Sequence, residues 1–202
     1  FAPMAPPHRR VSVEQARRLV VAARDEAGAR TAPLAVGVFV NEAPATIAEY
    51  AERAGLGAIQ LSGDESAEQC AEVRSRTGLH VLKSLRLRGN PEYGCMSLSA
   101  IDAIVEAGAT LLLDTPVPGS YGGSGETPDW NVARWMAKRW PIVLAGGLTP
   151  KNVAEAIQTV HPRGVDVSSG VETNKAKDLD KIARFIAAAQ SASEKGREKA
   201  DA

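Results

Sequence analysis

Strands alternating with helices in units of about 25 to 30 residues predict a parallel α/β protein built from βαβ crossovers. The strands are short and apolar throughout, as expected where both faces of a sheet are covered. Glycines, serines and acids follow many different strands, always at the C-terminal end. An open doubly wound sheet would gather them at one switch point, whereas a barrel spreads them around one rim. The fold class predicted is a (β/α)8 TIM barrel.

The elements follow in order. Ser12-Val13-Glu14-Gln15 has capping-box spacing, and Leu19, Val20 and Ala23 continue a helical face. Leu34 to Val40, rich in β-branched residues and broken by Gly37, is a strand. Pro44 opens a helix with Ile47, Ala51 and Ala54 on one side, stopped by Gly55, and Ala58-Ile59-Gln60-Leu61 is the next strand. Helix Glu65 to Arg76 leads to strand His80 to Leu85, and helix Ser99 to Ala107 to strand Thr110 to Asp114. Helix Asp129 to Arg139 precedes strand Pro141 to Ala145. Thr149 as N-cap and Pro150 at the first position start a helix to Val160, followed by strand Gly164 to Val167. A last helix from about Asp178 to Gln190 places Leu179, Ile182, Ala183 and Ile186 at helical spacing.

These are six strands where a barrel has eight, and the first element is a helix. The expectation is an N-terminally incomplete barrel, lacking the first strand, the first helix and most of the second strand. Residues 1–190 form its single domain, and residues 191–202, where charge alternates with alanine and glycine, form a frayed tail. The opening Phe1-Ala2-Pro3-Met4 has no charged n-region and no long apolar run; it reads as a loop entered in mid-fold, not a signal peptide.

Composition narrows the function classes. The 202 residues carry 24 Lys+Arg against 24 Asp+Glu, so no basic excess points to nucleic acid or an anionic membrane, and any phosphate recognition must be local. No apolar run reaches the roughly 18 to 20 residues of a membrane span. Two cysteines, Cys70 and Cys95, make no disulfide framework and favour a cytoplasmic setting. The three histidines, His8, His80 and His161, are scattered without ligand spacing, so no metal is assigned.

The chemistry-bearing residues gather between Asp114 and Gly170. Asp114 ends a strand of leucines beside low-dielectric walls, where partial desolvation suits a carboxyl to act as a general acid; a turn or helix-capping aspartate is the plainer reading. Gly146-Gly147 and Ser168-Ser169-Gly170 follow the last two strands, the positions that often hold phosphate in this fold, though each could be a tight turn. Gly122-Gly123-Ser124-Gly125 is too glycine-dense for a simple turn and reads as a mobile loop closing over a ligand. It lacks a Walker lysine, and no dinucleotide fingerprint is present, which disfavours nucleotides. Asp166 ends the last strand, where it turns inward toward a substrate or is satisfied by neighbouring backbone. Arg9 and Arg10, in the opening loop, are simply solvated or supply a fork for a carboxylate. Trp130, Trp135 and Trp140 read as helix packing, and Cys70 as a buried small hydrophobe.

Taken together, Gly37-Val38-Phe39-Val40-Asn41, Gln60-Leu61-Ser62-Gly63-Asp64-Glu65, Leu113-Asp114, Gly122-Gly123-Ser124-Gly125, Ala145-Gly146-Gly147-Leu148-Thr149-Pro150 and Asp166-Val167-Ser168-Ser169-Gly170-Val171-Glu172 resemble phosphoribosylanthranilate isomerase, up to about Gln190. The resemblance implies a cofactor-free Amadori rearrangement in tryptophan biosynthesis on a sugar-phosphate substrate. It implies Asp114 as the general acid on the furanose ring oxygen and Arg9 on the anthranilate carboxylate. Gly146, Gly147, Ser168, Ser169 and Gly170 would hold the phosphate, while Gln60 and Asp166 line the site. It admits a homodimer or a fusion to another tryptophan-pathway enzyme. Two departures stand out. The family's base is a cysteine in a Lys-Ile-Cys-Gly motif, which these residues do not contain, and Ser62 stands where the family commonly has histidine. The alternatives are a non-catalytic sugar-phosphate-binding barrel, and then indole-3-glycerol-phosphate synthase, which needs a lysine and glutamate pair; Lys83 is the only strand lysine.

Overall fold

The computed structural model describes residues 10–27, 32–86, 97–114 and 130–200. They form two compact units, Phe1–Ser84 with Ser99–Thr110, and Leu85–Leu98 with Leu111–Ala202.

In the first unit, α1 (Val13–Ala27) leads to β1 (Val36–Phe39), α2 (Pro44–Ala54), β2 (Ala58–Leu61), α3 (Ala67–Thr77) and the part of β3 (His80–Arg86) up to Ser84, with α4 (Leu98–Glu106) beyond from Ser99. The strands pair in parallel and in chain order, with Phe39 opposite Leu61 and Leu61 opposite Lys83. Ser12 caps α1 as its spacing predicts: its hydroxyl accepts the Gln15 N–H at 3.2 Å, and the Ser12 N–H donates to Gln15 Oε1 at 2.8 Å. A second capping box, Ser66 with Gln69, starts α3 two residues later than expected and leaves Glu65 outside the helix. Ile47, Ala51 and Ala54 form the buried side of α2, which ends at Gly55 in the left-handed conformation.

Two faces differ from the sequence reading. Val13, Ala16 and Val20 are the buried stripe of α1, with Val13 and Ala16 clustering with Ala54, Tyr50 and Leu56, while Leu19 is 64% exposed. In β1 only Gly37 and Phe39 are buried; Val36 and Val38 stay 45% and 42% exposed, so this strand buries one face instead of two.

The second unit contains the Leu111–Asp114 part of β4 (Ala109–Asp114), then α5 (Trp130–Ala137), β5 (Ile142–Leu144), α6 (Val153–Val160) and β6 (Gly164–Val165). Here too the pairing is parallel and in chain order, Leu113 with Leu144 and Leu144 with Val165. Neither unit shows the order reversal of a doubly wound sheet. The helix expected from Pro150 starts at Val153. Thr149 and Asn152 still form a reciprocal turn before it, with the Thr149 N–H donating to Asn152 Oδ1 at 2.7 Å and the Lys151 N–H to Thr149 Oγ1 at 3.3 Å.

After β6 a single 3-10 turn (Ser169–Val171) runs into a two-residue hairpin, β7 (Glu172–Thr173) with β8 (Ala176–Lys177), that the sequence reading lacks. Its turn residues Asn174 and Lys175 have φ of 51° and 64°, the left-handed pair of a tight hairpin turn. α7 (Leu179–Ala200) begins on Asp178, whose Oδ1 accepts the Lys181 N–H at 3.1 Å. It continues as helix through residues 191–200, where the sequence predicts a frayed tail. Among the described side chains of α7, Phe185 and Ala192, seven residues apart, are buried, whereas Leu179 and Ile186 are 80% and 50% exposed.

Candidate active site

In the second unit, the ends of three strands share one level. The Ala145 N–H donates to Leu113 O at 2.8 Å and the Asp166 N–H to Leu144 O at 2.9 Å, so the ladders continue past the strand ends. Continuing the register by one residue sets Asp114 beside Ala145 and Ala145 beside Asp166. Side chains on one level of a parallel sheet point to one face. Two carboxylates therefore flank Ala145, which is 2% exposed and ends at Cβ. Asp114 is half-buried.

Asp166 keeps an open surface, yet burial against protein atoms raises its carboxyl above the usual aspartate range, with Lys177 and the Val167 N–H opposing. A carboxyl that loses part of its hydration shell to neighbouring protein atoms is raised even while some of its surface meets solvent.

The glycine turns adjoin this row. Gly146 and Gly147 have φ of 85° and 60°, a left-handed pair that only glycine adopts without strain. Asn152 Nδ2 donates to Gly147 O at 3.1 Å and ties the turn to the start of α6. Gly170 lies so close to the Leu148 carbonyl that a Cβ there would overlap its oxygen, so the loops after β5 and β6 are meshed. Lys177 Nζ donates to Ser168 O at 2.8 Å and to Glu172 Oε1 at 2.7 Å, which brings a cation to the Ser168-Ser169-Gly170 segment. Sequence reasoning missed Lys177 because the hairpin carrying it has no Asn-Gly signal, and it missed Asn152, whose only cue was its position three residues after Thr149.

In the first unit, Gln60, Ser62 and Ser84 share one face of β2 and β3. Gln60 Nε2 donates to Ser62 Oγ at 3.0 Å and to Ser84 Oγ at 3.4 Å, and the two hydroxyls lie 3.1 Å apart. On the opposite face Lys83, 1% exposed, donates to Glu65 Oε2 at 2.9 Å and to Gly63 O at 2.7 Å. That arrangement argues against the synthase alternative, because the strand lysine is buried on the helix-covered side and both contacts are structural. Cys70 is fully buried there too; burial pushes its thiol up to about 11 despite the nearby Lys83 charge.

Arg9, Cys95 and the Gly122-Gly123-Ser124-Gly125 loop lie outside the described residues. Trp140 is buried and meets Trp135 edge-on at 5.7 Å, as packing residues do, though Trp135 is itself 41% exposed. Among the described residues no group of three His, Cys, Asp or Glu side chains is placed to hold a metal ion, and no helix is long and apolar enough to cross a membrane.

Known proteins agree with this geometry. The family described as N-(5'-phosphoribosyl)anthranilate (PRA) isomerase matches residues 3–188. An N-(5'-phosphoribosyl)anthranilate isomerase of Roseiflexus sp. (strain RS-1) is 44% identical over 191 residues, 94% of this chain and 86% of the relative. The crystal structure of phosphoribosyl anthranilate isomerase from Thermotoga maritima superposes with a TM-score of 0.76 at 38% identity, over 95% of this chain and 85% of that one. A further isomerase structure, in complex with reduced 1-(o-carboxyphenylamino)-1-deoxyribulose 5-phosphate, gives 0.73 at 34% identity, over 95% and 84% of the two chains. With strands parallel and in chain order, acids and glycine turns at their C-terminal ends, and this similarity along nearly its whole length, the chain belongs to the phosphoribosylanthranilate isomerase family of TIM-barrel enzymes in tryptophan biosynthesis.

Proposed function

We propose that the chain carries out the family's Amadori rearrangement on N-(5'-phosphoribosyl)anthranilate, with Asp114 as general acid. Protonation of the furanose ring oxygen lets the C1′–O bond break as the anilino nitrogen lone pair forms the imine. Loss of the C2′ proton returns that electron pair to nitrogen as an enolamine. Tautomerisation to the ketone yields 1-(2-carboxyphenylamino)-1-deoxyribulose 5-phosphate. No electrons leave the substrate, so the step needs no cofactor. The observation that supports this reading best is the shared level of Asp114 and Asp166 across a buried alanine, beside the left-handed Gly146-Gly147 turn.

Gly146, Gly147, Ser168, Ser169 and Gly170 hold the phosphate, with Lys177 adding positive charge nearby. Gln60 and Asp166 bond the sugar or amine, Arg9 grips the anthranilate carboxylate, and the loop at Gly122 to Gly125 closes over the ligand. Proton removal falls in the family to the cysteine of a Lys-Ile-Cys-Gly motif that these 202 residues do not contain, so full turnover requires a strand supplying it. Cys70 does not replace it, because a thiol raised to about 11 and sealed from solvent is neither ionised nor accessible. Residues 1–190 act as one barrel domain of a cytoplasmic enzyme, as a homodimer or fused to another enzyme of the pathway.

The test is Asp114→Asn in a form that carries a strand with the family cysteine, followed by the fluorescence loss of the substrate. kcat should fall by about 10² to 10⁴-fold, the range for removing a general acid. Affinity for the reduced product analogue should change little. A large affinity loss with kcat preserved would make Asp114 a binding residue.

A further inference from the structure

We propose that the buried Lys83–Glu65 ion pair is a positioning device for the isomerase site: it locks the loops after β1 and β2 together so that Gln60 and Ser62 present one fixed geometry to the substrate. The inference rests on the reading of Gln60 as a substrate-binding residue.

Both side chains of the pair are 1% exposed, lying on the helix-covered side of the strands. Replacing such a pair with apolar side chains of similar volume is often neutral or stabilising, so stability alone does not explain its presence. The Glu65 carboxylate meets donors from three segments. It accepts the Asn41 N–H at 2.8 Å, the Gly63 N–H at 2.9 Å, and Lys83 Nζ at 2.9 Å. Lys83 returns a second bond to Gly63 O at 2.7 Å, so both backbone groups of Gly63 are held from one pair. Leucine and methionine would fill the same volume but leave the buried Gly63 amide without its acceptor and cut the part-buried Asn41 amide loose from the loop after β2.

The loops are joined a second time at their tips. The Asp64 N–H donates to Asn41 Oδ1 at 2.7 Å, and Asn41 Nδ2 donates to Asp64 Oδ2 at 3.3 Å. Asn41 sits at φ 54°, in the left-handed region that asparagine tolerates best among non-glycine residues, and this turn aims its side chain at the Asp64 amide. A Cβ at Gly63 would collide with the Asn41 side-chain oxygen, so the approach is as close as glycine permits. Ser62 is the residue before Gly63, and its N–H donates to Phe39 O at 2.8 Å; its hydroxyl joins Gln60 on the other face. Any shift of Gly63 is thus passed through one peptide unit to the Gln60–Ser62 pair.

The experiment compares the wild-type chain with Lys83→Met/Glu65→Gln, which keeps the volume and the acceptor for the two amides while deleting the ion pair. Two probes are titrated calorimetrically: inorganic phosphate and reduced 1-(o-carboxyphenylamino)-1-deoxyribulose 5-phosphate. The expected result is a cooperative melt, unchanged phosphate affinity and a loss of about ten- to a hundredfold for the analogue, the scale of a small misplacement in a preorganised site. Gln60→Ala should cost clearly less in that background than alone, a non-additivity that a merely structural role would not produce. Asn41→Gly keeps the left-handed backbone, leaves the buried charges intact and removes the tip contact, so it carries the test even where the double variant fails to fold; it should also lower analogue affinity without lowering phosphate affinity. Wild-type analogue affinity in either folded variant, with Gln60→Ala costing its full amount, overturns the proposal. A wild-type chain that binds neither probe overturns the functional reading and the inference with it.

Discussion

Gly170→Ala tests the mesh between the loops after β5 and β6. The added methyl would overlap the Leu148 carbonyl oxygen, come within 2.9 Å of the carbonyl carbon and 3.2 Å of Val167 Cγ2. The obstacle is backbone, not the end of a flexible side chain, and Leu148 is 2% exposed, so it has no room to retreat outward. The main chain must therefore shift, and inserting a methyl into a filled space typically costs about 1 to 3 kcal/mol. For a chain of this size each kcal/mol moves Tm by roughly 2 to 4 °C, so the variant should melt about 2 to 12 °C lower. The same shift pushes Leu148 toward Gly147, whose left-handed conformation allows little adjustment, and phosphate affinity should fall in parallel. Thermal unfolding by circular dichroism and calorimetric titration with inorganic phosphate measure both effects. A melt within about 1 °C of wild type, with phosphate binding intact, would refute the close approach of the two loops.

The raised carboxyl of Asp166 makes a pH prediction. The folded state holds this proton more tightly than the unfolded chain, so stability is lost as pH rises from the ordinary 3.8 through the raised folded value. Asp166→Asn removes that loss: its stability relative to wild type should increase across that window and stay higher at neutral pH, and denaturant melts at several pH values showing no such trend would contradict the burial argument. Cys70 should resist alkylation at pH 8 in the native protein and react after denaturation, read by peptide mapping; rapid native labelling would show that the thiol is neither sealed nor raised.

Much of the fold was legible because its signals are local. The Pro44 start and Gly55 stop of α2, and the strand Ala58 to Leu61, follow from residues within a few positions of each boundary. Burial was less legible, since it depends on neighbours distant in sequence. Nothing within α7 tells whether Leu179 or Phe185 is buried, and nothing within β1 tells that Val36 and Val38 stay exposed. Lys83 stood out as a lysine within an otherwise apolar strand, but its partner Glu65 read as the first residue of a helix until the Ser66 cap excluded it. The glycine turns after β5 and β6 were conspicuous in the sequence, whereas their interlock through Gly170 and Leu148 arises only from folding.

The row Asp114, Ala145, Asp166 has a consequence for how such an enzyme tolerates change. Two strand spacings separate the acids, about 10 Å, and that distance is set by hydrogen-bonded ladders instead of by loops. Insertions, substitutions or thermal motion in the connecting segments leave it untouched, because altering it would require breaking the sheet. The acid spacing is therefore inherited with the fold, while the loops around it remain free to diversify.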